Sequence, residues 1–329
     1  IMFTSSMMIG TLITISSNSW VSMWIGLEIN LLSIIPLMSN IKNKMESEAA
    51  MKYFITQAMA STIFLLAIIM MLSKKEMLLS TSINSMIMDL AIMTKMGAAP
   101  LHFWFPEVME GLSWINSMIM LTWQKIAPMV IFMYSNKPLM FMTSIIIMSM
   151  MISGLMGINQ TSLRKILAYS SINHIGWMIS AMLTNQTLWL IYFTIYSMMT
   201  INITTMFKMM SIFNINQLIN SMNKSKTIKM MFSLNFLSLG GIPPFIGFFP
   251  KWITINAMIQ MNLFALTFIM IMMTLLTLVF YMRITFNSSI VTTSESTTAK
   301  TSLTQNKIMI SNFIVISMLA TCPMMISFI

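Results

Sequence analysis

The sequence predicts an all-α, polytopic membrane protein of about eleven transmembrane helices. Three observations carry that prediction. Only 8% of the 329 residues are charged and 57% are hydrophobic, whereas a soluble domain needs roughly a quarter charged residues to wet its surface. The mean hydropathy is +0.82. Apolar runs of roughly 17–25 residues, long enough to cross a hydrocarbon core of about 30 Å, recur along almost the whole chain.

In order, the first run, 2–18, has no basic leader and no small-residue cleavage site, and another run follows at once. It is expected to be a retained helix. Runs 20–39, 49–72, 83–104 and 112–134 follow, then 138–158, 163–183, 187–210, 228–249 and 262–284, and lastly 308–328. The longest connections, Asn214–Lys226 and Asn287–Lys307, are polar loops too short for a soluble domain.

Charge tests the helix count. With eleven crossings, one face collects Lys42, Lys44, Arg164, Lys165, Lys208, Lys224, Lys226, Lys229, Arg283, Lys300 and Lys307, and the other only Lys74, Lys75 and Lys137. By the positive-inside rule the basic face is the matrix or cytoplasm, which puts the N-terminus inside and the C-terminus outside. The formal charge of +10 therefore reads as loop charge. It is not the basic stripe of a nucleic-acid binder. A single cysteine, Cys322, excludes an internal disulfide and any cysteine-bound zinc or iron–sulfur site built by this chain alone. The 46 methionines exceed what packing demands, and AT-rich mitochondrial coding would explain them.

An internal repeat organises the chain. Gly97-Ala98-Ala99-Pro100-Leu101-His102-Phe103-Trp104-Phe105-Pro106 aligns with Gly241-Ile242-Pro243-Pro244-Phe245-Ile246-Gly247-Phe248-Phe249-Pro250, sharing G-x-x-P-x-x-x-x-F-P. The copies lie five helices apart and so run in opposite directions. This predicts two inverted five-helix repeats, 1–135 and 136–285, each with a broken helix (near 97–106 and 240–250), followed by a loop and C-terminal helix over 286–329. Paired helices interrupted by Gly and Pro point to a transport site near the midplane.

Charged residues inside apolar runs mark the candidate site: Glu28, Lys95, Lys125 and Lys251. Each costs about 2.5–3.5 kcal/mol at a helix centre, so each should face the interior and find a partner. Glu28 has apolar neighbours for a full turn on either side; its alternative role is a structural ion pair. Lys95 precedes the first break, where snorkelling to the interface is the alternative. Lys125 sits mid-run in Trp123-Gln124-Lys125-Ile126-Ala127-Pro128, and Pro128 denies the Gln124 carbonyl its usual donor. Lys251 follows the second break and could instead be an interfacial anchor. Asp89 could be intramembrane or pair locally with Lys95. His102 in the first break and His174 in the run 163–183 are secondary candidates, with hydrogen-bonded packing as the alternative. Desolvation and a nearby carboxylate push a lysine's proton affinity in opposite directions. A Glu28–Lys95 pair on different helices could therefore take up or release a proton as it closes or opens. No nucleophile–base set, phosphate loop or dinucleotide fingerprint is present. Stand-alone cation/proton antiport and a purely structural role for the buried charges remain alternatives.

The segments Trp24-Ile-Gly-Leu-Glu-Ile-Asn30, Lys95 to Glu107, Leu121 to Pro128, Leu163 to Trp177 and Leu237 to Trp252 resemble the antiporter-like membrane subunits of NADH–ubiquinone oxidoreductase, mitochondrial complex I, in an insect-like form. The likeness runs from about residue 10 to 285 with its motifs in order; 286–329 is similar only as one further helix. The resemblance implies the two inverted bundles, Glu28 and Lys95 as a charge-coupled pair, Lys125 as the central relay lysine and Lys251 at the second broken helix. It implies proton translocation in the inner mitochondrial membrane beside other complex I subunits, including neighbouring antiporter-like ones, and membrane lipids. No cofactor is expected in this chain; NAD, FMN, iron–sulfur clusters and ubiquinone are implied in partner subunits.

Overall fold

The computed structural model describes residues 2–40, 43–72, 78–135, 138–222, 226–243 and 245–290. Among these residues the fold is helical throughout, apart from one isolated antiparallel bridge between Ser162 and Asn214. Among the described residues, five helices are long and apolar enough to cross a membrane: Trp20–Met38, Lys44–Leu72, Leu139–Ile158, Gln186–Met210 and Phe264–Asn287. The C-terminal helix predicted over 308–328 and Cys322 lie outside the described residues. So do Lys42, Lys74, Lys75, Lys137, Lys224, Lys300 and Lys307, which carry much of the expected charge asymmetry.

The surface is inside-out relative to a soluble bundle. Leu12, Leu32, Met51 and Met59 are more than half exposed, while Thr14, Asn30, Gln57 and Ser61 on the same three helices are buried. Lipid accepts the apolar faces, so the polar groups must satisfy one another inside. Buried hydroxyls do so locally by donating to a carbonyl three residues back, as Thr14 does to Thr11 (2.6 Å) and Ser61 to Ala58 (2.8 Å).

The chain divides into two compact units, Ile1–Ile145 and Ile146–Ile329. In the first, α1 (Met2–Ser16) packs along α2 (Trp20–Met38), and α2 touches α3 (Lys44–Leu72). Next, α3 receives α4 (Leu78–Met96) and the short α5 (Trp104–Gly111). After α6 (Trp114–Leu121), α7 (Trp123–Tyr134) contacts α1, α2, α4 and α6. Two glycines let α1 and α2 cross closely. A Cβ on Gly26 would sit 2.9 Å from the Gly10 carbonyl oxygen, and one on Gly10 would sit 2.9 Å from the Asn30 nitrogen. Small residues at crossings are how helices associate where lipid supplies no hydrophobic drive. Here the crossing sets the depth of Glu28 and Asn30.

In the second unit, α9 (Leu163–Thr184) is buried on all sides from Ile166 to Ala181 and touches α10 (Gln186–Met210), α13 (Phe248–Gln260) and α14 (Phe264–Ile290). Its serines, Asn173 and His174 lower its hydropathy, yet 22 residues give about 33 Å of helix. From Ile146 onward, α8 (Leu139–Ile158) lies in this unit, with Gly154 and Gly157 against Leu276 and Phe280 of α14.

Several boundaries differ from the sequence reading. The run 83–104 stops at Met96, and 228–249 stops at Gly240, where α12 (Lys226–Gly240) ends. Gly97 (φ 72°) and Gly241 (φ 77°) adopt left-handed backbone, and the next amide folds back five residues, Ala98 to Met93 (3.1 Å) and Ile242 to Leu237 (3.4 Å). That is a Schellman-type stop. Helix resumes as α5 and as α13, an element the sequence reading lacks; Pro106 and Pro250 stand in their first turns, where an amide has no helical acceptor. The run 112–134 is divided into α6 and α7 at Thr122, whose N–H and Oγ1 both bond the Met118 carbonyl (3.1 and 2.7 Å). Pro128 lies inside α7 without ending it. Finally, the expected loop Asn214–Lys226 contains α11 (Ile215–Met222), capped by Gln217 Oε1, which accepts from Phe213 N (2.9 Å) and Asn214 N (3.3 Å).

Replacing Gly26 with valine should force α1 and α2 apart and destabilise the fold by about 1–3 kcal/mol, the usual cost of overpacking. Thermal unfolding of the detergent-purified protein measures this. An unchanged midpoint would show that the crossing has room for a side chain.

Candidate functional site

The first unit assembles its site from four helices. Glu28 is half-buried on α2; Lys95, in the last turn of α4, and Lys125, in the first turn of α7, are buried at 8% and 2% exposure. Glu28 is near enough to Lys95 for a coulombic interaction, although the ion pairs within 4.0 Å among the described residues are those of Lys52 with Glu48 and Glu107. Those pairs are exposed surface contacts that contribute little. Asp89 is fully buried and accepts a hydrogen bond from Ser135 Oγ at 2.5 Å.

Lys95 lines a cavity of about 20 Å³ with Leu27, Asn30, Leu31, Tyr53, Gln57, Gln124 and Pro128. That is room for about one water molecule, and the lining has the polar partners a water needs. Gln124 Nε2 donates to Asn30 Oδ1 (2.9 Å), and Tyr53 donates weakly to Gln124 Oε1 (3.5 Å). Gln57 Nε2 is buried and finds no partner among the described residues. Lys125 lies 5.4 Å from the centroid of the Phe105 ring, a cation–π contact with the break motif. His102 is buried but locally engaged: its Nδ1 is 3.2 Å from the Pro100 carbonyl, and its ring lies 4.5 Å from that of Phe103.

The two breaks leave helix carbonyls that need donors. At the first, Trp104 Nε1 donates to the Thr94 carbonyl at 3.0 Å. At the second the corresponding residue is Phe248, which has no donor. There Lys251, in the first turn of α13, reaches back over Gly241 and donates Nζ to the Gly240 carbonyl at 2.8 Å. Lys251 is buried, and its ammonium lies 5.9 Å from the Trp177 ring of α9. One turn away on α9, His174 Nδ1 is 2.9 Å from the Tyr192 hydroxyl, and its ring lies 4.9 Å from that of Tyr196. Asn173 donates to Thr277 Oγ1 at 3.3 Å.

The first unit thus joins Lys95, Asn30 of the Glu28 helix and Gln124 of the turn bearing Lys125 around one polar cavity, and in the second unit Trp177 and His174 share the helix that backs Lys251. Sequence reasoning missed Tyr53, Gln57, Tyr192 and Tyr196 as members of these clusters. A signal was present, since Tyr53/Gln57 and Tyr192/Tyr196 are each four residues apart, on one face of a helix.

A bundle of apolar helices with buried lysines at helix breaks and a single coupled carboxylate belongs among ion-translocating membrane proteins. Comparison with known proteins makes this specific. Residues 17–277 match the family NADH:quinone oxidoreductase/Mrp antiporter, TM, and the chain belongs to that family. It is 51% identical over 289 residues to NADH-ubiquinone oxidoreductase chain 2 of Anopheles gambiae, covering 87% of this chain and 84% of the relative. To the protein of the same name from Locusta migratoria it is 47% identical over 297 residues, covering 90% and 87%. The fold is similar to a chain of respiratory complex I from Thermus thermophilus, with a TM-score of 0.85 at 20% identity, covering 96% of this chain and 76% of that one.

Two substitutions test the carbonyl donors. Lys251→Met removes the side-chain donor of the Gly240 carbonyl and should cost about 1–3 kcal/mol, whereas Trp104→Phe leaves the Thr94 carbonyl the Gly97 amide (3.2 Å) and should cost about 0.5–1.5 kcal/mol, each read as a lowered unfolding midpoint. Stability unchanged in both would mean that neither donor supports its break.

Proposed function

We propose that this chain is the proton-translocating membrane subunit of respiratory complex I in the mitochondrial inner membrane. Other subunits carry electrons from NADH to ubiquinone; this one moves protons in response. The observation that carries the reading is a buried polar cavity lined by Lys95, Asn30 and Gln124, the last two being near neighbours in sequence of Glu28 and Lys125, in a chain 51% identical to a complex I subunit. In this reading, reduction of quinone elsewhere alters the field at Glu28, and the Glu28–Lys95 interaction strengthens or weakens. Lys95 then gains or releases a proton, which passes by way of Lys125 and continues at Lys251, with His102 and His174 in secondary roles.

The topology proposed is that of two inverted five-helix repeats, 1–135 and 136–285, with a final helix within 286–329. Counting α4 with α5, and α6 with α7, as broken crossings supports five crossings from α1 to α7. Counting α12 with α13, and setting aside the eight-residue α11, supports five more from α8 to α14. A helix over 308–328 would be the eleventh, placing the N-terminus in the matrix and the C-terminus in the intermembrane space. The partners are the other membrane and peripheral subunits, neighbouring antiporter-like subunits among them, and NAD, FMN, iron–sulfur clusters and ubiquinone are held by those partners.

Lys125→Met, measured in the assembled complex reconstituted in vesicles, should lower the number of protons translocated per NADH oxidised while assembly persists. Unchanged stoichiometry would overturn the relay. Lost assembly, with normal pumping in whatever complex still forms, would favour a scaffold role.

A further inference from the structure

The turn that carries Lys125 is weakly held by its own backbone. Immediately before it, Thr122 (φ −114°, ψ −75°) separates α6 from α7, and the Lys125 amide makes a three-residue bond to the Thr122 carbonyl (3.3 Å). Four residues after Gln124, Pro128 removes the donor that the Gln124 carbonyl would otherwise meet. Helix turns flanked in this way shift readily unless something outside the helix fixes them. Here the fixing group is the Gln124 side chain. Its amide donates to Asn30 on α2 at 2.9 Å and accepts from Tyr53 on α3 at 3.5 Å.

Asn30 lies two residues beyond Glu28 on the same helix, and Gln124 immediately precedes Lys125. The hydrogen bond between the two amides thus joins the helix of the carboxylate to the turn of the lysine, beside the cavity lined by Lys95. An amide is suited to this task. It is uncharged, so burial costs far less than for an ion, and it donates and accepts at once. It does not itself release a proton at neutral pH, so it holds geometry and leaves proton transfer to the lysines and any water between them.

We propose that Gln124 is a positioning residue, and that its bond to Asn30 passes a displacement of the Glu28 helix directly to Lys125. The inference rests on the proton-translocating reading and adds to it a mechanical connection distinct from the Glu28–Lys95 field. Because the bond joins one short and one long amide, it can be broken and rebuilt. Gln124→Asn alone leaves a gap of one methylene, and adding Asn30→Gln restores the combined reach.

The test measures protons translocated per NADH oxidised in vesicle-reconstituted complex carrying Gln124→Asn, Asn30→Gln, both together, or Lys125→Met. Assembly and NADH oxidation are followed separately. Gln124→Asn should show the larger part of the Lys125→Met loss while the complex stays assembled, and the double exchange should recover most of it. The proposal is overturned if Gln124→Asn pumps normally while Lys125→Met does not, or if the double variant is as impaired as the two single losses added together. Normal pumping in Lys125→Met would instead overturn the relay itself. If Gln124→Asn fails to assemble, Gln124→Met takes its place, and normal pumping in that variant counts against the proposal in the same way.

Discussion

A helix that stops within an apolar slab exposes carbonyl groups that neither lipid nor the next turn can satisfy. That constraint shapes both breaks of this chain. A glycine with positive φ turns the backbone, and one amide folds back across five residues. One carbonyl at each break is then met by a side chain from the helix that resumes: Trp104 Nε1 on Thr94 and Lys251 Nζ on Gly240. Those side chains add to the backbone bonds at each break, where Thr94 also accepts from the Gly97 amide at 3.2 Å.

The choice of donor separates the two lysines that flank the breaks. A neutral indole serves the first, which leaves Lys95 on a polar cavity within the influence of Glu28. At the second the ammonium itself is the donor, held at 2.8 Å and folded over Gly241. Lys251 therefore has a structural task alongside any role in proton movement, whereas the first unit assigns the two tasks to different residues. The same ten-residue sequence pattern thus supports two electrostatic arrangements, depending on whether its eighth position is Trp104 or Phe248.

Much of this was legible in the sequence. Apolar run length forecast the helices, because lipid leaves the chain few alternatives, and the glycines and prolines of the shared pattern marked both interruptions. Where each helix actually stops was less visible. The reading ran 83–104 through Gly97 and 228–249 through Gly241, since hydropathy is indifferent to a left-handed φ. It also left α13 unassigned, because Phe248–Gln260 is too short to register as a crossing. The split at Thr122 was masked by Pro128, the more obvious breaker, which a helix tolerates in its early turns. Glu28, Lys95, Lys125 and Lys251 stood out because charge in an apolar run is conspicuous. Asn30, Tyr53, Gln57 and Gln124 did not, because an isolated amide or phenol in such a run does not reveal which helix it will face.

The uncharged residues explain how a protein with so few buried charges can couple them. Electrostatic influence reaches far in a poorly screened interior: at an effective dielectric of about 20, two unit charges roughly 10 Å apart still interact by on the order of 1–2 kcal/mol, about tenfold in a proton equilibrium. Lys95 can therefore respond to Glu28 without a contact ion pair. Proton transfer is short-ranged and fails when donor and acceptor drift by an ångström or so. A field can decide when a proton should move, but only a held geometry decides where it can. Adding further charges to hold that geometry would distort the field they are meant to serve, and each would carry its own burial cost. Amides avoid both problems, and accordingly the turn bearing Lys125 is fastened to α2 and α3 by glutamine, asparagine and tyrosine, while the cavity shared by α2, α3, α4 and α7 sets Lys95 among Asn30, Tyr53, Gln57 and Gln124, groups that bond without carrying charge.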